Sequence, residues 1–553
     1  MVKQAVPKDR FKIQLHFFLT FSLFLHCFFF LVYWIAVGDF RAEVDQFVGE
    51  MLSFNLPYTT VVLILTTLIG LWSLLRLIGL RLVYRKGVWK PSIKSWLFFI
   101  IWLIFITGFY GTYMVVLRED PSQKGVVFHL LDLMRLVGDS LLFLIAAIWL
   151  RRLILHVRTR LQGAPVKWPW TVGIVLVLIS IVVLWLVPTL FPPNWAYQGD
   201  LPTKPALIAH RGASMIAPEN TLAAAELAED YQALGFETDL RISMDGVPFL
   251  MHDDTLARTT NIAEVFPERV DDPASSFTME ELKQLNAGLW FIQKDPFGTI
   301  DSGSVSQSQL SINQGQTIPT LEETLAFIRE SGLVLIFDMR YPPEEHPYYD
   351  SFFDIVLETC QEAGLNGDIW FLVDEEYIQH IIEEAPQMTR VVGASSTDLP
   401  DVDRLLELQY EIVNVDTGIS PKAILAYREQ GLGVNVYTVD EPWLFSQFWL
   451  SGVTSVTTNN VHSFSRLSAP FINIPYSRFL MYWSLYGIII AIWLAASQPE
   501  QKPSTQQPMK TPNLMDFATE DDETIDTTKP ANSHAVSTTR LQAGNKGKQD
   551  QDQ

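Results

Sequence analysis

The stretch Leu207–Asp254, LIAHRGASMIAPENTLAAAELAEDYQALGFETDLRISMDGVPFLMHDD, decides the fold of this chain. With Ala206 before it, the stretch opens on a short apolar run, ALIAH, closed by His210, Arg211 and Gly212. ENTLAAAELAEDYQALG follows, rich in Ala, Leu and Glu and free of β-branched runs, which predicts an amphipathic helix. GFETDL then returns to strand character. Strand, helix, strand is the repeating unit of a parallel sheet, because a parallel neighbour is reached only through a crossover connection.

The alternation continues through LVLIFDMR, IWFLV, TRVVGAS, EIVNVDT, GVNVYTVD and SVTTNN, with helical segments such as IPTLEETLAFIRESG between them. Together with ALIAH and GFETDL this predicts a TIM (β/α)8 barrel of the α/β class over residues 193–470. VPFLMHDD reads as an extra extended piece after the second strand, and residues 257–316, with a Ser/Gln/Gly-rich centre, as an insertion over the barrel mouth.

Functional groups of such a barrel gather at the C-terminal ends of its strands. His210 and Arg211 end the first strand, Glu237 and Asp239 lie in the second, and Asp338 and Arg340 end the third. Residues two apart in a strand face the same side, so Glu237 and Asp239 share the inward face, with Asp338 joining from the next strand. Three carboxylates so close repel one another unless a cation lies between them. A single hard divalent ion with oxygen ligands is expected there, Ca2+ first, with Mg2+ or another divalent ion as alternatives.

Outside the barrel the chain is apolar. Blocks at residues 14–37, 57–80, 95–117, 127–150 and 170–192, and a sixth at 476–496, are each long enough to cross a bilayer as a helix. The chain thus reads as a membrane domain of five spans over 1–192, the barrel over 193–470, a sixth span over 476–496 and a polar tail over 497–553 too poor in apolar residues to form a core. Arg81, Arg85, Lys86, Lys90 and Lys94 lie between the second and third blocks, and Arg151, Arg152, Arg158, Arg160 and Lys167 between the fourth and fifth, whereas the alternate loop GDFRAEVDQFVGE is acidic. Basic loops stay inside, so both termini are expected in the cytoplasm of a multi-pass membrane protein, with the barrel on the outer side. Asp132, Arg135 and Asp139 share one face of the fourth block, either pairing near the outer interface or making a polar contact between the bundle and the outer domain.

The chain carries 40 Lys and Arg against 61 Asp and Glu, a net charge of −21, which argues against nucleic acid as a partner. Its two cysteines, Cys27 in an apolar run and Cys360 on an expected helix, have no neighbours spaced as zinc ligands.

AHRGASMIAPENT, FETDLRISMDGVPFLMHDDTLARTTN, LKQLNAGLWF, IPTLEETL and GVNVYTVDEPWLFSQFWLSGVTSVTTNN resemble the glycerophosphodiester phosphodiesterase family over nearly all of residues 205–465, and the flanking spans resemble its six-transmembrane branch with an outward-facing catalytic domain. The resemblance implies a metal-dependent phosphodiesterase acting on glycerophosphodiesters or on lipid head-group diesters such as lysophospholipids and glycosylphosphatidylinositol anchors. Carried over residue by residue, it makes His210 and His252 the general acid/base pair, with no assignment of which is which, Glu237 and Asp239 metal ligands, and Arg211 the phosphate-contacting arginine. Glu219 and Asn220 match the supporting Pro-Glu-Asn element, and Tyr437 stands where many relatives carry a tryptophan beside the substrate. The chain departs from the family at Asp338 and Arg340, where most soluble members have Glu-x-Lys; Asp338 is kept as a metal ligand and Arg340 as a further phosphate contact. The alternative is a catalytically weak barrel used as a membrane receptor or ligand-binding module. A transporter fused to a hydrolytic domain would call for several charged or broken helices at mid-membrane, and only the fourth block has such charges.

Overall fold

Short runs rich in Val, Ile, Phe and Thr form nine strands: β1 (Ala206–His210), β2 (Gly235–Ile242), β3 (Pro248–Leu250), β4 (Val334–Met339), β5 (Ile369–Leu372), β6 (Thr389–Ala394), β7 (Ile412–Asp416), β8 (Gly433–Tyr437) and β9 (Ser455–Thr458). The computed structural model describes residues 7–36, 45, 57–86, 100, 122–160, 168–365 and 367–496. Every strand except β3 runs parallel to its neighbours, in the order β1-β9-β8-β7-β6-β5-β4-β2, and β1 pairs with β2 to close the barrel. The eight parallel strands are those expected from the sequence, and the fold is a TIM barrel.

The register sets the level of the mouth. His210 is level with Glu237, and Asp338 with Asp239 two residues further along β2, so these side chains stand in two successive tiers toward the C-terminal ends of the strands. The extra extended piece is β3, antiparallel to β2 with Leu240 opposite Leu250. Met251 N–H still donates to Asp239 O at 3.0 Å, and this returning segment carries His252 back beside the end of β2.

Around the barrel, helix Leu321–Ser331 shows the local logic. Thr320 and Glu323 form a reciprocal capping box, Gly332 ends the helix at φ 70°, and Leu321, Thr324, Leu325 and Ile328 face the core. The insertion has its own apolar centre of Phe249, Met251, Leu256, Phe277, Leu282 and Ile318. It is tied to the loop after β1 by Thr299, which donates to Met215 O, and by Asn313, which donates to Ile216 O at 3.0 Å. It therefore sits at the mouth, where the sequence pattern puts it.

Among the described residues, five long helices lie outside the barrel sequence: Pro7–Ala36, Tyr58–Lys86, Ser122–Arg160, Trp168–Leu190 and Tyr476–Ala495. The block expected at 95–117 and the tail at 497–553 lie outside the described residues, apart from residue 100. Among the described residues, His16–Ile35, Tyr58–Leu80 and Tyr476–Ala495 are long and apolar enough to cross a membrane, and Leu178–Leu190 is a shorter apolar run. The block expected over 127–150 is not straight: Gly125–Arg135 and Val137–Leu155 meet at 55° and count together as a fourth candidate span.

The charges at that bend pair with one another and are also linked to the barrel. Arg135 pairs with Asp132 at 3.3 Å and Asp139 at 3.2 Å. Asp132 also accepts from Asn194 N–H at 2.7 Å, and Trp195 Nε1 donates to Asp132 O at 3.2 Å. Asn194 Nδ2 donates in turn to Gln447 O and Ser451 Oγ on a barrel helix, at 3.0 and 2.8 Å.

Candidate active site

The first strand ends in a tight turn. Arg211 takes φ 56° and Gly212 φ 82°. A Cβ on Gly212 would lie 2.5 Å from Ala224 Cβ, so only glycine lets this turn fold onto helix Leu222–Asp230. The turn aims Arg211 back into the barrel, where its N–H donates to Glu237 Oε2 at 3.2 Å and its Nη1 donates to Glu219 Oε1 at 3.0 Å. Arg211 Nε stands 3.2 Å from Asp239 Oδ2, yet it is buried without an acceptor in hydrogen-bonding geometry. A donor so placed suits a phosphate oxygen.

Asn220 supports the acids from below. Its Nδ2 donates to Asp239 Oδ2 at 3.1 Å, while its Oδ1 accepts from Thr238 Oγ1 at 2.6 Å. Asp239, 1 % exposed, also accepts from Arg340 Nε and Nη2 at 3.1 and 3.0 Å. Arg340 Nη2 reaches Asp338 Oδ2 as well, at 2.9 Å. One guanidinium therefore bridges the second and third acids.

Electrostatics separate the carboxylates. Burial, then the negative charge of Asp239, pushes the Glu237 carboxyl up from its ordinary value. Burial also raises Asp338, although Arg340 opposes it. Burial would raise Asp239 too, but Arg211, His252, Asn220 and Arg340 outweigh it and hold that carboxyl low. Among the described residues no three His, Cys, Asp or Glu side chains stand gathered into an ion-holding group, because Arg340 occupies the space between Asp239 and Asp338. The donor chemistry nevertheless fits a hard cation at Glu237: a buried acid pressed against a like charge is what a divalent ion relieves.

The two histidines have different neighbours. His210 Nε2 lies 3.7 Å from Glu237 Oε2 and its Nδ1 lies 2.8 Å from Asn459 Oδ1. Burial and the charge of Arg211 push this imidazole down to about 4, so it is neutral at neutral pH. His252 Nδ1 lies 2.8 Å from Asp253 Oδ1. Burial would raise Asp253, but hydrogen bonds from His252 and Arg258 win and hold it far below the usual carboxylate range. Arg258 donates to Asp253 at 2.6 and 2.8 Å and to Glu219 at 2.8 and 2.7 Å, so Glu219 ties the Arg211 side of the site to the His252 side.

All the residues singled out in the sequence meet at this mouth. Tyr437 stands at the rim at the end of β8, its phenol raised first by burial and then by Asp416 and Asp338. A cavity of about 620 Å3 opens beside His252, lined by Arg241, Asp253, Asp254, Met339, Arg340 and Tyr341. Asp253, Arg258, Asp440 and Asn459 were not singled out. The adjacent His-Asp pair was a readable signal for Asp253; Asn459 is 249 residues from His210 in the chain and carried none.

A closed parallel barrel that gathers two histidines, an inward arginine and three acids at the C-terminal face of its strands has its polar cluster where barrels of this fold carry their active sites. Comparison with known proteins narrows this. The model of the glycerophosphoryl diester phosphodiesterase family matches residues 210–463. The human glycerophosphoinositol inositolphosphodiesterase is 31 % identical over 487 residues, which cover 86 % of this chain and 86 % of that protein. Its mouse counterpart is 38 % identical over 303 residues, 54 % of this chain and 55 % of that one. The human glycerophosphodiester phosphodiesterase domain-containing protein 5 is 38 % identical over 305 residues, 54 % of this chain and 49 % of that one. The match thus spans about half the length of the latter two relatives and most of the first. The chain belongs to the glycerophosphoryl diester phosphodiesterase family.

Proposed function

We propose that this chain is a membrane-anchored phosphodiesterase that hydrolyses glycerophosphodiesters, with its barrel on the outer side of the cell membrane. The observation that carries the reading is the pair of histidines, His210 and His252, at one mouth with Arg211, whose buried Nε has no acceptor in hydrogen-bonding geometry. The name of the human relative that matches most of the chain makes glycerophosphoinositol the first substrate to try. Lysophospholipids and glycosylphosphatidylinositol anchors are the lipid-borne candidates, since attachment to the bilayer raises their effective concentration.

Arg211 and Arg340 bind the non-bridging oxygens and offset the charge that grows on them. His210, neutral and buried, takes the proton of the attacking hydroxyl. His252 protonates the leaving alcohol, with Asp253 accepting from its Nδ1 throughout. Glu237 would hold a divalent cation, Ca2+ first, with Asp239 and Asp338 joining it where Arg340 leaves them for the phosphate, and the ion when bound would add positive charge beside the phosphate. Among the described residues named above at the mouth none is a Ser or Cys, and this supports a substrate hydroxyl next to the phosphorylated carbon as the attacking group. Such an intramolecular attack gains effective molarities that reach ~10⁵ M or more; it expels the head-group alcohol and leaves a cyclic phosphate, which water then opens with the proton transfers reversed.

The test is turnover by the purified full chain on glycerophosphoinositol, other glycerophosphodiesters, lysophospholipids and glycolipid anchors, each diester paired, where one can be made, with a 2-deoxy counterpart. Turnover of at least one diester, lost in His252→Ala by a factor of ~10² or more, is expected, with the deoxy compound bound but nearly inert. Wild-type turnover unchanged in His252→Ala would end the acid/base reading, and equal rates on the deoxy compound would replace the substrate hydroxyl by water.

A further inference from the structure

Asn459, one residue beyond β9, is an amide caught between two partners of different kind. Its Oδ1 lies 2.8 Å from His210 Nδ1 and accepts from Ser214 Oγ at 2.6 Å. Its Nδ2 donates to Asp440 Oδ2 at 2.7 Å, and its backbone N–H donates to Asp440 Oδ1 at 2.7 Å. Thr458 Oγ1 donates to the same Oδ1 at 3.1 Å, and Asn460 Nδ2 donates to Asp440 O at 3.0 Å. Asp440 lies in the loop after β8.

The two ends of an amide have nearly the same shape, so their partners alone decide which faces which. An ionised carboxylate only accepts. Asp440 therefore takes the NH2 end of Asn459 and leaves the carbonyl end for His210. A carbonyl oxygen also only accepts, so His210 Nδ1 must carry the hydrogen. In a neutral imidazole this leaves the lone pair on Nε2, the nitrogen that faces Glu237 and the site. The tautomer that the proton acceptor needs is thus written beyond Asn459, in the carboxylate of Asp440.

We propose that Asp440 is a positioning residue that, by orienting the Asn459 amide, holds His210 in the tautomer with its lone pair directed into the site. The inference rests on the phosphodiesterase reading above and deepens it.

Asp440→Asn tests it while nearly preserving shape. The new NH2 group opposes one of the donors that converged on the carboxylate. Asn459 then turns its amide over, presents NH2 to His210 Nδ1 and drives the ring to the Nε2–H tautomer, which has no lone pair in the site. The expected result is a fall in kcat of ~10² or more with KM little changed, because binding by Arg211 and Arg340 is untouched. The exchange Asp440→Asn with Asn459→Asp restores the pattern: the carboxylate, now at position 459, accepts from His210 Nδ1–H and Ser214 with one oxygen and from the amide NH2, now at position 440, with the other. Recovery of kcat in the double variant to within about tenfold of wild type is expected. A merely structural role would lower kcat in step with thermal stability and would not be rescued by the exchange. With an active wild type, a folded Asp440→Asn of unchanged kcat overturns the assignment alone, as does a folded double variant no better than the single. If Asp440→Asn fails to fold, the double variant decides by the same criterion. A wild type that turns over no diester overturns both this assignment and the reading beneath it.

Discussion

At the scale of single residues, Glu219 ties the site together. Its carboxylate accepts from Arg211 at 3.0 Å and from Arg258 at 2.8 and 2.7 Å, and its side chain is only 11 % exposed. Burial alone would raise this acid, but the hydrogen bonds and charges of Arg258 and Arg211 lower it below its ordinary value of 4.5. A depressed acid contributes stability that is fully present above the unfolded value and is lost as pH falls through the folded one. Glu219→Gln is therefore expected to cost about 3 kcal/mol at neutral pH, with the gap to wild type narrowing only below pH 4.5, as read from unfolding midpoints across an acid series. A gap that stays constant into acid would mean that the charge is not what matters. Glu237 makes a second, independent expectation: Glu237→Gln weakens Ca2+ binding by tenfold or more in calorimetry while the barrel melts normally. Unchanged Ca2+ affinity would remove Glu237 from the ligand set. The sequence disclosed Glu237 because it shares the inward face of a strand with Asp239, and Glu219 through the Pro-Glu-Asn element that carries the family resemblance. It could not disclose Asn459, which meets His210 across the β1–β9 pairing, or Asp440, which holds Asn459, because those contacts exist only once the barrel is shut.

At the scale of elements, the strands were legible and one helix was not. A barrel strand is short, buried and β-branched, so its identity is local. The course of helix Ser122–Arg160 is set by what it meets. An apolar stretch over 127–150 looks like a straight span, but Asp132 is held by Asn194 from the linker into the barrel, and the helix bends by 55° just beyond, between its Gly125–Arg135 and Val137–Leu155 arms. Its first turns pack on the loop after β7. A Cβ on Gly125 would fall 2.0 Å from Gly418 Cα, and His129 Nε2 lies 3.2 Å from Ile419 O. Such an approach tolerates no side chain. Gly125→Leu is expected to lift the helix from this loop, so that amides of 417–419 exchange hydrogen about tenfold faster or more while those of β4 do not change. Equal exchange in both proteins would show that the contact carries no energy.

For the whole molecule, the question is which side of the membrane the mouth faces, and charge answers it before packing does. Basic clusters at 81–94 and 151–167 alternate with the acidic loop at 38–50. Lys and Arg in short loops resist translocation, so the clustered loops are expected in the cytoplasm and the barrel, after an odd number of crossings, outside. The odd number depends on the block at 95–117, which only its apolar composition identifies. An exposed cysteine on the barrel tests the orientation directly, and Ser308 in the insertion is exposed. Background labelling is low because Cys27 and Cys360 are both buried, and burial pushes the Cys360 thiol up to about 12, leaving almost no reactive thiolate. Ser308→Cys is expected to react with a membrane-impermeant maleimide in intact cells. If it reacts only after permeabilisation, the barrel is cytoplasmic and the block at 95–117 is not a span, since dropping one crossing moves everything behind it to the other side. That outcome would also change the chemistry available to the site, because a barrel inside the cell meets the glycerophosphodiesters of the cytoplasm rather than diesters on the outer leaflet.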